Sequence, residues 1–136
     1  MKKKFLLLAL PVLFLTCVST RQITTDSEHN PRNSLDWAGS YRGMIPAADS
    51  PGVDARITLN KVGTYIVTYQ YAGKDEVFSF SGYFKWNDPG DTVILDSHTL
   101  PPYYRVGENR LIQLDMEGNL VTGPLADGYI LEKMVF

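Results

Sequence analysis

The sequence predicts an all-β fold, and three observations support that prediction. From Trp37 onward, apolar and polar residues alternate at every second position, which is typical of half-buried strands. Short clusters of Gly, Pro, Asn and Asp separate the alternating segments, as turns separate antiparallel strands. No segment has the spacing of about 3.6 residues that an amphipathic helix requires.

The number and order of these segments predict a small antiparallel up-and-down barrel. Tight turns between neighbours favour sequential pairing, and about eight strands suffice for a sheet to close and remove its edges. A two-sheet sandwich is the alternative, because alternation does not distinguish closure from stacking. The first strand begins near Trp37, and the others are predicted over residues 53–59, 65–71, 78–86, 92–96, 103–106, 110–114 and 129–134.

Glycines and aromatic residues mark particular positions in these strands. Gly39 and Gly43 bracket Tyr41, which indicates close approach of two backbones or strong coiling, and Gly82 lies where a closed sheet would have to bend. Aromatic residues on one face of the second and third long segments either form the core or line a ligand cavity. They are Tyr65, Tyr69, Tyr71, Phe78, Phe80, Phe84 and Trp86.

The N-terminus has the features of a secretory signal. Three lysines, Lys2 to Lys4, precede an apolar run of 11 residues over 5–15. A membrane-spanning helix needs about 20 apolar residues, so the run predicts a signal peptide rather than a transmembrane anchor.

The end of this run resembles the lipobox of bacterial lipoproteins, in which the cysteine is lipidated and becomes the mature N-terminus. Here that residue is Cys17, although Thr16 precedes it where Gly, Ala or Ser is usual. The alternative is an ordinary signal peptide cleaved elsewhere. By resemblance to lipoprotein sorting signals, Val18 favours the outer membrane over the inner one.

Three segments follow from this reading. Residues 1–16 are the predicted signal peptide, residues 17–35 the lipidated cysteine with a flexible tether, and residues 36–136 the barrel domain. The tether is rich in Ser, Thr and Asn and has no aromatic residue. His29 falls within it and is expected to be solvated rather than a metal ligand.

Composition excludes several classes of function. The leader holds three of the 13 basic residues and none of the 15 acidic ones, so the mature chain has a net charge of -5 and lacks the basic face that nucleic acid requires. One cysteine forms neither an internal disulfide nor a metal cluster. We expect no metal, no cofactor and no nucleic-acid partner.

No catalytic motif is present in the chain. Asp96, Ser97 and His98 are consecutive, but neighbours on an extended chain point to opposite faces and cannot form a proton relay. The sequence therefore predicts a protein that is not an enzyme.

Several blocks, in this order, resemble the N-terminal domain of the NlpE family of envelope lipoproteins. The opening block is Trp-Ala-Gly-Ser-Tyr-Arg-Gly over 37–43, and the later ones lie at 45–52, 106–111, 114–118 and 129–133. The resemblance implies a lipocalin-related barrel on an outer-membrane tether, with a role in envelope stress or copper homeostasis.

The resemblance also draws attention to the loop from Pro46 to Gly52. In the family this loop carries Cys-x-x-Cys, the feature linked to copper, whereas this chain has Ala47 and Ser50 at those positions. Two thiolates bind a soft ion such as Cu(I), but a methyl group and a hydroxyl do not. We therefore expect no Cu(I) site of that kind.

The predicted function is that of a non-enzymatic binding or sensing module, held in the outer membrane by lipid on Cys17. Its partner would be an envelope protein or a small ligand. The alternatives are a carrier of small hydrophobic ligands and a protein-interaction or inhibitor module that uses the 45–52 loop. The candidate residues of that loop are Pro46, Ala47, Asp49, Ser50, Pro51 and Gly52.

Overall fold

The computed structural model describes residues 30–48, 50–98 and 100–135, so Cys17, His29 and Asp49 lie outside the described residues. Within those ranges, eight antiparallel strands pair in sequence order, and the last pairs with the first to close a barrel. The predicted up-and-down barrel is confirmed, and the sandwich alternative is wrong. The strands are β1 (Gly39–Ala47), β2 (Ser50–Leu59), β3 (Thr64–Tyr71), β4 (Phe78–Trp86), β5 (Thr92–Leu95), β6 (Tyr103–Gly107), β7 (Arg110–Gln113) and β8 (Ile130–Lys133).

The alternation in the sequence gives the barrel its two surfaces. On β2, for example, Ala55, Ile57 and Leu59 point inward and are buried, whereas Arg56 between them is exposed. Strands of this kind bury one face and leave the other in solvent. The residues that are most completely enclosed come from five strands and are Tyr41, Ile57, Leu59, Val93, Leu111 and Leu131.

Closure brings β1 very close to β8, and Gly43 makes this possible. A Cβ atom at Gly43 would lie 2.7 Å from the carbonyl oxygen of Ile130 and 3.2 Å from the Cα of Leu131. Both are backbone atoms, which cannot move aside as a flexible side chain can. The close backbone approach predicted from the glycines of β1 is therefore found at the seam of the barrel.

Gly82 on β4 leaves room for a polar contact across this strand, between Tyr65 on β3 and Asp96 just after β5. A Cβ atom there would lie 2.3 Å from Oδ1 of Asp96 and 3.0 Å from the hydroxyl of Tyr65. The Tyr65 hydroxyl is hydrogen-bonded to the Asp96 carboxylate, and burial together with that bond raises the pKa of Tyr65. A glycine at position 82 thus leaves space for the Asp96 and Tyr65 side chains, in addition to allowing the bend that the sequence predicts.

One end of the barrel, called the closed end below, is covered by aromatic residues. The Trp37 ring meets the rings of Phe84 and Trp86 edge to face, with centroids 5.8 and 5.3 Å apart. The indole Nε1 donates to the carbonyl of Arg32 at 3.0 Å, and the Tyr41 hydroxyl donates to the carbonyl of Trp37 at 2.7 Å. These contacts fix the chain before β1 against the core.

A short helix, α1 (Pro31–Ser34), lies at the same end, where the sequence analysis places a flexible tether as far as residue 35. That prediction is wrong for residues 31–35. Asn30 caps the helix by accepting the N–H of Asn33 at 3.0 Å, Pro31 occupies the first turn, and Leu35 packs against the core. Four residues are too few to produce a helical periodicity in the sequence.

The opposite end, called the mouth below, holds the β1–β2, β3–β4, β5–β6 and β7–β8 connections. A 3-10 helix over Ala126–Tyr129 lies in the last of these, just before β8. In the parts of the chain that the structure describes, no helix is long and apolar enough to cross a membrane.

Candidate functional site: the mouth of the barrel

The predicted 45–52 loop is mostly strand. Residue 47 ends β1 and residue 50 begins β2, and Ala47 lies directly opposite Ser50 in the register. The prediction of a free loop is therefore wrong in its extent, because a register shift between Ile45 and Ala47 absorbs the irregular Pro51-Gly52 segment.

Each candidate residue of this segment has a definite place. Pro46 and Ala47 belong to β1, while Ser50, Pro51 and Gly52 belong to β2. The Ser50 hydroxyl donates to the carbonyl of Gly52 at 3.0 Å, so it is engaged within its own turn. Met44, Ala48 and Pro51 of the hairpin are exposed.

An open cavity of about 280 Å³ lies beside this hairpin, inside the mouth. Its volume is just below the range of roughly 300–1,000 Å³ that is typical of sites for drug-sized ligands. It therefore suits a small molecule or part of a larger one. The lining residues come from β1 (Ile45, Pro46, Ala47), β2 (Val53, Ala55, Ile57), β3 (Val67, Tyr69, Tyr71), the β5–β6 connection (Leu100, Pro101), β6 (Tyr104) and β7 (Gln113).

The chemistry of this lining is apolar and uncharged. Its polar side chains are those of Gln113 and three tyrosines, and no Asp, Glu, Lys or Arg is among the described lining residues. Burial raises the pKa of Tyr104, and burial followed by proximity to Tyr71 raises the pKa of Tyr69. Both phenols stay neutral at physiological pH, so the cavity favours a neutral, largely apolar occupant.

The aromatic face predicted from the sequence divides between the two ends of the barrel. Tyr65 and Phe84 are buried in the core, whereas Tyr69 stacks against Phe78 and Phe80 at the mouth, with centroids 5.1 and 5.6 Å apart. Tyr71 is partly open to solvent. The sequence allowed two predictions for the aromatic face, that it forms the core or that it lines a cavity. Each prediction holds for part of the face.

Several residues of the cavity have no counterpart in the sequence prediction. Leu100 and Pro101 lie in a connection between strands, yet Leu100 is 8% exposed and packs in the core. The N–H of Leu100 bonds to the Ser97 hydroxyl at 3.1 Å, and this turn directs the connection inward. The signal available in the sequence is a lone apolar residue between polar ones and Pro101.

The two positions at which the family carries Cys-x-x-Cys supply no thiolate for Cu(I) in this chain. They are Ala47 and Ser50, which lie opposite each other across the hairpin. Among the described residues, no group of three or more His, Cys, Asp or Glu side chains is placed to hold a metal ion. The residues present do not fit a Cu(I) site, and His98 is exposed on the β5–β6 connection.

The run Asp96-Ser97-His98 is used for structure at the mouth. Asp96 bonds to Tyr65, and the Ser97 hydroxyl accepts the N–H of Leu100. The Tyr65 hydroxyl also bonds to the Ser97 side chain, so the two residues share one partner. The arrangement anchors the β5–β6 connection.

The fold and the mouth define a small eight-stranded antiparallel barrel with an apolar cavity, and comparisons with known proteins give its family. The family model of the NlpE N-terminal domain matches residues 41–124. Lipoprotein NlpE of Escherichia coli K12 is 32% identical over 125 residues, which cover 88% of this chain and 53% of that protein. The chain thus spans about half the length of this relative.

Two solved structures agree with the same assignment. A Shewanella oneidensis protein described as a lipoprotein is 39% identical with a TM-score of 0.71, over 77% of this chain and 95% of that one. The structure of the Cpx pathway activator NlpE from Escherichia coli is 30% identical with a TM-score of 0.52, over 63% of this chain and 46% of that one. The chain belongs to the NlpE family of lipoproteins.

Proposed function

We propose that this chain is an outer-membrane lipoprotein, anchored by lipid on Cys17, whose barrel acts as a non-enzymatic sensing module in an envelope-stress response. The observation that carries the proposal is the similarity to Escherichia coli NlpE, which is described as a Cpx pathway activator. The aligned 88% of the chain is longer than residues 30–135, so the similarity reaches into the N-terminal residues. This extension of the similarity supports an anchor in addition to the barrel.

The geometry of the closed end supports this arrangement. The described chain begins there, where the N–H of Arg32 bonds to the carbonyl of Gly90 at 3.1 Å. A tether attached at Asn30 would therefore join the barrel at its closed end and leave the mouth unobstructed by the attachment. A module that senses or binds from a membrane needs its open end accessible.

Lipidation is tested by mass spectrometry of the mature protein and by incorporation of labelled palmitate. We expect a lipid-modified N-terminal Cys17 and loss of membrane attachment in Cys17→Ala. Thr16→Ala is the matched control, because it alters the neighbouring residue toward the usual lipobox and should keep the anchor. An unmodified mature N-terminus beyond residue 17 would overturn the anchor.

The stress role is tested by producing the full chain in Escherichia coli lacking its own NlpE and measuring transcription from a Cpx-dependent reporter. We expect the lipoprotein to induce transcription from the reporter. At equal protein level, Cys17→Ala should give a different level of reporter transcription. Absence of induction, with normal lipidation and folding, would overturn the signalling role. Cu(I) binding is not part of this proposal, since the residues at positions 47 and 50 supply no sulfur.

Transport of a small apolar ligand is the second candidate, and the 280 Å³ cavity favours it. The test is binding of a fluorescent apolar probe such as N-phenylnaphthylamine to the full chain. Ala55 is 8% exposed and lines the cavity, so Ala55→Leu should reduce binding by filling space. Thr122→Leu on the exposed β7–β8 connection is the control and should bind normally. Equal binding by both variants would argue against the cavity as the site.

A further inference from the structure

The cavity at the mouth has a neighbouring hollow that, unlike the cavity, carries charge. Tyr71 belongs to the walls of both. The second hollow, called the rim hollow below, is lined by residues of β2, β3, β4 and the β3–β4 connection, which are Ser50, Tyr71, Lys74, Asp75, Glu76 and Phe78. A ligand that is seated in the cavity and extends past Tyr71 therefore enters the rim hollow.

The rim hollow has a net negative charge. Asp75 and Glu76 supply two carboxylates and Lys74 supplies one ammonium group, and all three residues are exposed. In the part of the chain that the structure describes, neither carboxylate takes part in an ion pair. The turn that carries them is fixed, because the Lys74 N–H donates to the carbonyl of Tyr71 at 3.0 Å and the Lys74 carbonyl accepts the side-chain N–H of Gln70 at 2.7 Å.

The other connections of the mouth add to this negative charge. Among their described residues Lys74 is the one lysine or arginine, whereas six are acidic, namely Asp75, Glu76, Asp96, Asp115, Glu117 and Asp127. A Cβ atom at Gly128 would lie 2.9 Å from Cγ of Pro46 in the cavity wall, so the neighbouring Asp127 is also close to the rim. Charges of one sign around an apolar opening attract a ligand of the opposite sign and repel one of the same sign.

Aromatic rings give the rim a second means of binding a cation. Tyr71 is 38% exposed, and its ring meets those of Tyr69 and Phe78 edge to face, with centroids 5.8 and 6.3 Å apart. The faces of aromatic rings attract ammonium groups, including quaternary ones. The rings and the carboxylates of the rim hollow thus favour the same charge by two different interactions.

We propose that the mouth binds a cation that carries an apolar group. The apolar group occupies the cavity, and the ammonium head lies in the rim hollow against Tyr71, Asp75 and Glu76. The cavity lining is uncharged, so the head lies outside it, and a ligand that ends in a carboxylate or a sulfate would place that group beside like charge. The inference rests on the mouth being a ligand site, which is the second candidate function, and adds the charge of the ligand.

The test compares three probes that share a hexyl chain: hexyltrimethylammonium, hexanol and hexyl sulfate. Their binding to the full-length lipoprotein is measured by saturation-transfer NMR in a deuterated non-ionic detergent, and the signal from detergent alone is subtracted. We expect the cation to bind about tenfold more tightly than the sulfate, with the alcohol between them, because two exposed carboxylates each contribute a modest attraction.

Three variants locate the preference for the cation. Asp75→Asn with Glu76→Gln should bring the affinities for the cation and the sulfate to within about threefold and leave the binding of hexanol unchanged. Asp88→Asn with Glu108→Gln is the matched control, because it removes the same charge from exposed turns at the closed end and should keep the preference. Tyr71→Leu should weaken binding of the cation more than that of hexanol, because it keeps an apolar wall but removes the aromatic ring.

The outcomes separate this inference from the candidate function on which it rests. Binding of all three probes with equal affinity would keep the cavity as a ligand site and overturn the preference for a cation. Absence of binding by every probe would overturn both. A preference that persists in folded Asp75→Asn with Glu76→Gln, or that is lost equally in the closed-end control, would overturn the placement of the head in the rim hollow.

Discussion

The two ends of this barrel are built from the same strands but are filled differently. At the closed end, Trp37 covers Phe84 and Trp86, and the segment before β1 is held by bonds from its indole and from Tyr41. At the mouth, aromatic rings are half-buried and leave a cavity of about 280 Å³. Aromatic packing at one end leaves the other end free to carry a binding surface. Stability and binding can therefore be separated by experiment.

The largest expected difference between the ends comes from two phenylalanines on the same face of β4. Phe84→Ala, at the closed end, should lower the free energy of unfolding by about 3–5 kcal/mol, because it opens a hole among packed rings. Phe78→Ala, at the mouth, should cost about 1 kcal/mol, since Phe78 already borders solvent. Urea unfolding of both variants measures this. Equal losses of unfolding free energy in the two variants would contradict the difference in packing between the closed end and the mouth.

The next effect is a loss of stability in alkaline solution that originates at the closed end. Burial, followed by the nearby charge of Asp36, raises the pKa of Tyr41 to about 12 from an ordinary value of 10. Above pH 10 the unfolded chain loses this proton first, so the free energy of unfolding falls between pH 10 and 12. Tyr41 should contribute a loss of about 1.4 kcal/mol by pH 11.

Urea unfolding of the natural chain and of Tyr41→Phe, each at pH 8 and pH 11, isolates this contribution. Tyr41→Phe is expected to start less stable at pH 8, because the carbonyl of Trp37 loses its donor. It should then lose about 1.4 kcal/mol less than the natural chain on going to pH 11. Identical losses in the two proteins would contradict the origin at Tyr41.

The smallest effect on stability, and the sharpest on binding, is expected at the mouth. Ala47→Cys with Ser50→Cys should change the free energy of unfolding by less than about 1 kcal/mol, since both positions lie at a partly exposed hairpin end. The residues face each other across the hairpin, so two thiolates there should bind Cu(I). Competition against a chromophoric Cu(I) chelator measures this, and the natural chain is the control. Tight binding by the natural chain would contradict the analysis of its donors.

Much of the fold was predictable, because a sheet that buries one face has apolar side chains at every second residue. Alternation on β2 and β3 gave their faces, and Gly43 indicated the close approach to β8. The prediction failed where local chemistry replaced periodicity: Asn30 and Pro31 start a helix of one turn, and Pro51 and Gly52 lie within a bulged strand. The sequence predicts a flexible tether for the first and a loop for the second, because each contains residues that are common in loops.

The cavity was predictable only in part. Phe84 and Phe80 are the same residue type on the same face of β4, yet Phe84 is buried and Phe80 is half-buried. Trp37, which lies outside the strands, packs against Phe84 and not against Phe80 in the ring contacts described. This contact is not encoded in the alternation of β4 itself. The site therefore required the three-dimensional arrangement of segments that are distant in sequence.

The seam between β1 and β8 also constrains the order of folding. Its contacts join the two extremes of the barrel sequence: the ammonium group of Lys133 donates to the carbonyl of Asp36, 97 positions earlier. Closing so large a loop is entropically costly, so the β1–β8 pairing is expected to form after the seven pairings between consecutive strands. Until residues 130–133 emerge, β1 lacks its second neighbour and its edge is available to other chains. A chain that emerges N-terminus first therefore completes this barrel only when nearly all of the barrel sequence is available.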